Sequence, residues 1–228
     1  MPSNAVPLVF GLLAALGLVR KQAPRTELDH VILAINDLER GMAEFFRITG
    51  VQPVPGGAHP GRSTRNALVS LGGGAYLEIL APAASVANPD SIIPFRDLAL
   101  GGWALRPASL DTALARLRAA GFEPVGPTPG SRRTPDGRLL EWRTGGARGA
   151  GLSLAPFLIE WSPRTAHPSA SSPGGCRLDR LEIREPEPEA LRRYLQAVGH
   201  LAGVTAGHRG MVVHLSCPKG PVSFATLE

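Results

Sequence analysis

The stretch LDHVILAINDLERGMAEFFRITG, residues 28–50, decides the fold of this chain. Its first residues alternate in polarity and are rich in β-branched side chains, which predicts a strand ending at Ile35. A helix should follow, because a capping residue, an apolar stripe with helical spacing and a terminal glycine come next in order. These signals are Asn36 or Asp37, then Leu38, Met42 and Phe45, and finally Gly50.

This strand-helix design returns twice further along the chain. Residues 101–126, GGWALRPASLDTALARLRAAGFEPVG, repeat the apolar spacing at an offset of 72, which places Leu110 on Leu38. Residues 178–199, LDRLEIREPEPEALRRYLQAVG, repeat it again. Strand candidates follow the helices, namely VQPVP, NALVSLG and AYLEILA, then RLLEWR and APFLIEW, then MVVHLSC and VSFATL. We therefore predict an α+β fold of repeated β-α-β-β-β modules, the last of them compressed.

The modules are expected to form one domain over residues 27–228. Module one covers residues 27–82, module two covers residues 99–162, and the compressed third module covers residues 176–228. Residues 1–26 precede the domain as an apolar extension.

The extension contains AVPLVFGLLAALGLV, residues 5–19, an uncharged run that is shorter than the roughly 20 residues needed to span a bilayer as a helix. It has neither a basic residue before it nor an A-x-A cleavage site after it. Three interpretations are equally open: an atypical export signal or anchor, an apolar segment that packs on the domain, or a mis-assigned start. The protein is cytoplasmic under the last interpretation. Under the first it is exported or tethered to a membrane through this run.

Composition indicates an ordinary soluble domain rather than a nucleic-acid-binding protein. The 228 residues are 43% hydrophobic and 19% charged, and the 27 glycines and 22 prolines favour many turns and short strands. The net charge of +5 comes from scattered arginines, and only 5% of residues are aromatic. Nucleic acid is therefore not an expected partner, because its binding calls for a basic patch and stacking side chains.

The chain has two cysteines, Cys176 and Cys217. Their spacing fits neither a disulfide framework nor a metal-binding C-x-x-C motif. We predict buried thiols, or a single disulfide bond if the protein is exported.

The motifs resemble the vicinal oxygen chelate superfamily, and specifically its glyoxalase-like branch. The resemblance lies in LDHVILAINDLERGMAEFF, HPGRSTRNALVSLG and AYLEILAP of module one and in WALR, RRTPDGRLLEWR and PFLIEW of module two, so it covers residues 28–162. It implies a fold like that of glyoxalase and dihydroxybiphenyl dioxygenase, in which paired modules curl their sheets around a shared cavity. In metal-using members, the first and last strands of each module supply the ligands.

Carried over position by position, the resemblance implies that His30, Glu78 and Glu160 are metal ligands. Gly102 occupies the position equivalent to His30 in module two and has no side chain, so the four-ligand set of glyoxalase I is incomplete. One histidine and two carboxylates suit a divalent ion such as Mn, Fe, Zn or Ni. Glu78 and Glu160 are also the expected catalytic residues, because a carboxylate beside a metal can move a proton. The alternative is that these side chains make structural hydrogen bonds or face water.

The loop GGAHPGRSTRN is a second candidate for function. It contains His59, Arg62, Arg65 and Asn66, and guanidinium groups bind carboxylates and phosphates with paired hydrogen bonds. These residues are expected to bind an anionic group of the ligand. The alternative interpretation is an exposed turn in an arginine-rich protein.

The resemblance implies metal-assisted chemistry of the isomerase, lyase or dioxygenase type on a small oxygenated, anionic molecule. The competing hypothesis is a non-catalytic, metal-free protein that binds or sequesters a small molecule, and Gly102 favours it because this residue cannot coordinate a metal. The fold alone does not choose between them. Besides the small molecule, a second copy of the chain is an allowed partner, as a homodimer.

Overall fold

The computed structural model describes residues 25–226. The predictions made for the apolar run at residues 5–19, whether signal, anchor or packed segment, lie outside the described residues. Within residues 25–226, no helix is both long enough and apolar enough to cross a membrane.

Each predicted module has its helix and strands in the predicted order. The first contains β1 (Glu27–Ala34), α1 (Leu38–Thr49), β2 (Val54–His59), β3 (Thr64–Gly72) and β4 (Ala75–Pro82). The second contains β5 (Ala99–Arg106), α2 (Leu110–Ala119), β6 (Glu123–Arg133), β7 (Leu139–Arg148) and β8 (Phe157–Trp161). The short helix α3 (Pro168–Ser171) precedes the last unit, which contains β9 (Arg177–Glu185), α4 (Glu189–Val198), β10 (Val204–Ala206), β11 (Gly210–Cys217) and β12 (Gly220–Ala225).

Modules one and two join into an eight-stranded sheet with the order β2-β3-β4-β1-β5-β8-β7-β6. In each module the first strand is parallel to the last, as β1 is to β4 and β5 to β8. The modules meet where β1 runs antiparallel to β5. The sheet curls into a half-barrel, which confirms the predicted fold class.

The offset of 72 residues is also confirmed, because β1 and β5 begin at Glu27 and Ala99 and their helices at Leu38 and Leu110. The two helices start in the same way. Asp37 and Ser109 act as N-caps, with side chains that accept hydrogen bonds from the backbone N–H groups of Arg40 and Thr112.

The main core lies on the convex side of this sheet. There α1 packs on β3 and β4, and α2 packs on β6, β7 and β8. Strand residues that point to this side are fully buried, among them Leu33, Leu77, Ile79, Leu105 and Leu158. Alternation along each strand therefore leaves the opposite side chains free to line the concave face.

The last unit has the predicted element order but a different sheet topology. Its four strands have the order β10-β9-β11-β12, so β9 lies between β10 and β11 instead of pairing with the last strand. The three-residue β10 is an edge strand. One face of this sheet joins the common core through Ile183, Val213 and Phe224, while α4 packs against α2. The unit therefore supports the convex side of the first two modules.

Cys176 and Cys217 form a disulfide bond. It joins the residue just before β9 to the last residue of β11. Of the two predictions for these cysteines, the disulfide is the one found and the free thiols are not.

Candidate functional site

The concave face of the eight-stranded sheet forms a cavity of about 150 Å³. Both modules line it, as the fold class predicts. Module one supplies mainly polar side chains, and module two supplies an arginine and a set of aromatic rings. Its lining includes His30, His59, Arg62, Asn66 and Glu78 from module one and Arg132, Trp142, Phe157 and Trp161 from module two.

Glu78 lies between two histidines in this cavity. The Nε2 atom of His30 is 3.5 Å from Oε2 of Glu78, and Nε2 of His59 is 3.8 Å from Oε1. Asn66 donates a hydrogen bond from Nδ2 to Oε1 at 2.7 Å. Glu78 is only 7% exposed, so few water molecules reach its carboxylate. Its orientation follows from strand alternation on β4, where neighbouring Leu77 points to the convex core.

The side chain of Asp29 forms a hydrogen bond with His30 outside the cavity lining. The Asp29 carboxylate is fully buried and lies 2.6 Å from Nδ1 of His30. It also accepts hydrogen bonds from Nε1 of Trp161 and Nε2 of His167, each at 3.0 Å, and lies 3.5 Å from the guanidinium of Arg106. Burial alone would raise the pKa of Asp29, but the bonds from His167 and His30 outweigh it and hold this pKa well below its usual range. Asp29 is therefore an ionised acceptor.

The ionised state of Asp29 fixes one of the two nitrogens of His30. Because a carboxylate only accepts, Nδ1 of His30 must carry a hydrogen. Nε2 then faces the carboxylate of Glu78. A proton on either partner turns this contact from a repulsion between lone pairs into an attraction. The cavity therefore contains an imidazole nitrogen that faces a carboxylate oxygen.

The Asn66 amide orders the other side of Glu78. Its Nδ2 lies 2.7 Å from Oε1 of Glu78 and 3.3 Å from Nε2 of His59, so one amide group donates to both. His59 then accepts through Nε2 and donates through Nδ1 to the hydroxyl of Thr64 at 3.0 Å. Burial lowers the pKa of His59, which favours this neutral form.

Arg132 brings a buried positive charge to the cavity. This residue is 3% exposed, and its Nη1 donates a hydrogen bond to the backbone carbonyl of Gly56 on β2. Burial lowers the pKa of Arg132, although the nearby Tyr76 and Glu78 act against this effect. A guanidinium stays protonated in proteins, so Arg132 can stabilise negative charge on a bound molecule.

Aromatic rings form the remaining wall. Tyr76 stacks on His30 with ring centroids 4.6 Å apart, and Phe157 meets His30 edge-on at 5.4 Å. Trp142 and Trp161 lie beside each other with centroids 5.3 Å apart. Burial raises the pKa of Tyr76 well above its usual value, so its phenol remains neutral. The wall is apolar next to an acid-base pair, which suits a small organic ligand better than a fully hydrated ion.

Glu160 does not reach the cavity, so its predicted position is wrong. Its neighbours Ile159 and Trp161 on β8 line the cavity, and Glu160 therefore points to the opposite face. There Oε1 accepts a hydrogen bond from the backbone N–H of Leu110 at the start of α2, and Oε2 accepts one from Nε of Arg143 at 2.9 Å. The sequence pattern shows which residues alternate but not which set faces the cavity.

The residues predicted from the loop divide between two sides of the sheet. His59, Arg62 and Asn66 line the cavity. Arg65 does not, because it alternates with Asn66 on β3 and its guanidinium makes two hydrogen bonds to Glu39 of α1, at 2.5 and 2.6 Å. Arg65 therefore links β3 to α1 on the convex side, and its placement with the ligand-binding set is corrected.

Sequence reasoning missed Asp29, Arg132 and His167. Asp29 precedes His30, and two successive residues of a regular strand point to opposite faces. Their side chains meet because the pairing of β1 with β5 has an irregularity between Leu28 and His30. His167 comes from the segment before α3, far along the chain. No local pattern in the sequence indicates either feature, and none shows that the Arg132 side chain points into the cavity.

A glyoxalase-like domain family model matches residues 28–199. No curated protein matches the chain. A hypothetical protein from Staphylococcus aureus has a similar crystal structure, with a TM-score of 0.60, 15% identity, and coverage of 88% of this chain and 85% of that one. Methylmalonyl-CoA epimerase from Mycobacterium tuberculosis gives a TM-score of 0.48 and 23% identity over 63% of this chain and 93% of that one. Methylmalonyl-CoA epimerase from Streptomyces coelicolor, in complex with 2-nitronate-propionyl-CoA, gives a TM-score of 0.46 and 19% identity over 62% of this chain and 99% of that one.

Proposed function

This chain belongs to the glyoxalase-like domain family of the vicinal oxygen chelate superfamily, and from that premise we propose that it is an enzyme that moves a proton on a small oxygenated molecule. The observation that supports the proposal most directly is the contact between Nε2 of His30 and Oε2 of Glu78 at 3.5 Å, inside a cavity large enough for part of a ligand. Asp29 orients one member of this pair and Asn66 the other.

In the proposed reaction the substrate presents a carbonyl oxygen to Arg132 and the adjacent C–H group to Glu78. The C–H bond breaks, its proton forms an O–H bond on Glu78, and the electron pair moves to the carbonyl oxygen as an enolate. Arg132 stabilises that negative charge. His30 in its protonated form then donates its proton to the substrate, which re-forms a C–H bond, and the proton on Glu78 passes to Nε2 of His30, so both side chains regain their starting states. Asp29 stabilises the imidazolium by its own charge. These steps describe an isomerase.

Members of the superfamily commonly bind divalent metals, but the predicted ligands do not fit such an ion here. Glu160 lies on the other face of β8, and Gly102 has no side chain. Within residues 25–226, no group of three or more His, Cys, Asp and Glu side chains is arranged to hold a metal. The proton transfer is therefore derived from the side chains alone, without a metal step.

The test follows deuterium incorporation by proton NMR in D₂O at the carbon next to the carbonyl of pyruvate, 2-oxobutyrate and 2-oxoglutarate. We expect exchange above the buffer rate, and a loss of about 10²- to 10⁴-fold in Glu78→Gln, the range for a general acid or base. Glu160→Gln is the matched control, because this carboxylate lies outside the cavity. Equal exchange in Glu78→Gln and the unmodified protein contradicts the proposal.

A non-catalytic binding protein is the second candidate. The aromatic wall of Trp142, Phe157 and Trp161 favours it, since such walls also serve in ligand sequestration. The two candidates differ in one result. A binding protein changes its tryptophan fluorescence with these oxo acids but leaves their C–H groups unexchanged.

A further inference from the structure

A second cavity opens where β7 and β8 separate. The two strands are paired from Trp142 with Trp161 as far as Gly145 with Leu158. Beyond this point β7 continues to Arg148 with β6 as its partner, while the chain before β8 turns away. The gap forms a cavity of about 450 Å³, here called the side cavity. Its volume is within the range of small-molecule pockets.

The side cavity adjoins the cavity that contains Glu78. Arg62, Thr144 and Phe157 line both of them. A molecule with its reactive end beside Glu78 therefore has room to extend past these three residues. The smaller cavity, at about 150 Å³, is about a third of the size of the side cavity. Most of such a molecule would lie away from the reacting atoms.

The lining of the side cavity specifies the chemistry of its ligand. Val125, Leu152, Ala155 and Pro156 provide an apolar surface. Two arginines, Arg62 and Arg148, border the same space, and no aspartate or glutamate of the described residues lines it.

The two arginines are also available for a ligand. Both are exposed, and within residues 25–226 no ion pair involves either guanidinium. An unpaired guanidinium at an apolar cavity recognises a carboxylate or a phosphate through charge-assisted hydrogen bonds.

We propose that the side cavity binds the remote part of the substrate, an aliphatic chain that bears an anionic group held by Arg62 and Arg148. This inference rests on the proposed function and extends it from the reacting end to the whole ligand. The substrate class is thus an elongated, amphiphilic carbonyl compound with a negative charge away from its reactive carbon. Carboxylate and phosphate share the required chemistry, and the experiment distinguishes them.

The test measures binding by calorimetry with octanoate, octyl phosphate and octan-1-ol as probes. We expect saturable binding of at least one of the two anions, and the tighter of them identifies the anionic group. The double variant Arg62→Gln, Arg148→Gln should weaken that anion about tenfold or more and octan-1-ol less than about twofold, because only charged hydrogen bonds are lost. Arg118→Gln is the matched control, an exposed arginine on α2 that is not part of the cavity lining.

Ala155→Trp provides an independent test, because a larger side chain fills the apolar part of the side cavity. It should weaken all three probes, with folding checked by circular dichroism. The proposal is overturned if no probe binds, or if the double arginine variant weakens octan-1-ol as much as the anion. Glu78→Gln separates the two proposals. It should still bind the anion while losing exchange, and anion binding without any exchange in the unmodified protein refutes only the proposed function.

Discussion

The Nδ1 atom of His30 lies 2.6 Å from Oδ1 of Asp29, the residue that directly precedes it in the chain. This contact between neighbours on one strand connects the fold to the chemistry. It orients the imidazole towards Glu78 and leaves Nε2 as the nitrogen that faces the cavity. Asp29 does not line the cavity, so it acts as a positioning residue through His30.

Asp29→Asn should therefore slow the deuterium exchange by about 10²-fold or more, because the carboxylate that orients His30 and stabilises its imidazolium is lost. It should also destabilise the fold by about 3 kcal/mol, because Trp161, His167 and Arg106 lose their shared charged acceptor. A merely structural role would not change the His30 tautomer. The ¹⁵N shifts of the His30 ring should show a change in the position of its proton, and an unchanged tautomer contradicts the assignment.

The sequence predicted the fold better than the site, for a physical reason. Apolar periodicity, caps and the offset of 72 depend on neighbours along the chain, so β1, α1 and their repeats were visible. His30 and Glu78 were also predicted, because a resemblance placed them on the first and last strands of one module. Glu160 was misplaced because alternation defines two faces of a strand without saying which is concave. The Asp29–His167 contact joins distant segments and leaves no periodic signal.

The pH dependence of stability should reveal the buried His59. Burial lowers the pKa of His59 below the usual histidine value of about 6.5, so the unfolded chain binds more protons than the folded protein as the pH falls below that value. The contribution of His59 to the free energy of unfolding is then fully present above about pH 6.5 and is lost on acidification. Urea unfolding of His59→Gln should show a smaller loss between pH 7.5 and pH 5 than the unmodified protein. His200, whose pKa is also lowered by burial, remains in both proteins, and identical losses would show that His59 makes no contribution.

Glu78 and Glu160 should differ in their effect on metal content as well as on exchange. Glu78 faces His30 and His59, whereas Glu160 bonds to Leu110 and Arg143 on the other side of the sheet. If protein purified without chelator contains a divalent ion, elemental analysis should show that Glu160→Gln retains it. A metal lost from Glu160→Gln but retained in Glu78→Gln contradicts the placement of the site.

Gly56 should be indispensable for the position of Asn66. A Cβ atom at Gly56 would lie 2.3 Å from Oδ1 of Asn66, which is far inside contact distance. Gly56→Ala should therefore displace the amide that bridges Glu78 and His59, slow the exchange, and destabilise the fold by about 1–3 kcal/mol, the usual cost of overpacking. Gly102→Ala is the matched control, because its nearest neighbour would be Cδ1 of Ile32 at 3.9 Å. Equal effects of the two substitutions would indicate a general loss of glycine flexibility instead.

The disulfide bond between Cys176 and Cys217 should stabilise the last unit against unfolding. The bond closes a loop with a sequence separation of 41, and in the chain-entropy account such a loop contributes about 2–4 kcal/mol by restricting the unfolded chain. Replacing both cysteines with alanine should lower the urea midpoint by a corresponding amount. A reductant should lower the midpoint of the unmodified protein towards that of the variant and leave the variant unchanged, since only the former has a bond to break.

The cavity lies on the other side of the eight-stranded sheet, so deuterium exchange under native conditions should persist in the variant. An unchanged urea midpoint in both the reduced protein and the double alanine variant would contradict the expected stabilisation by this bond.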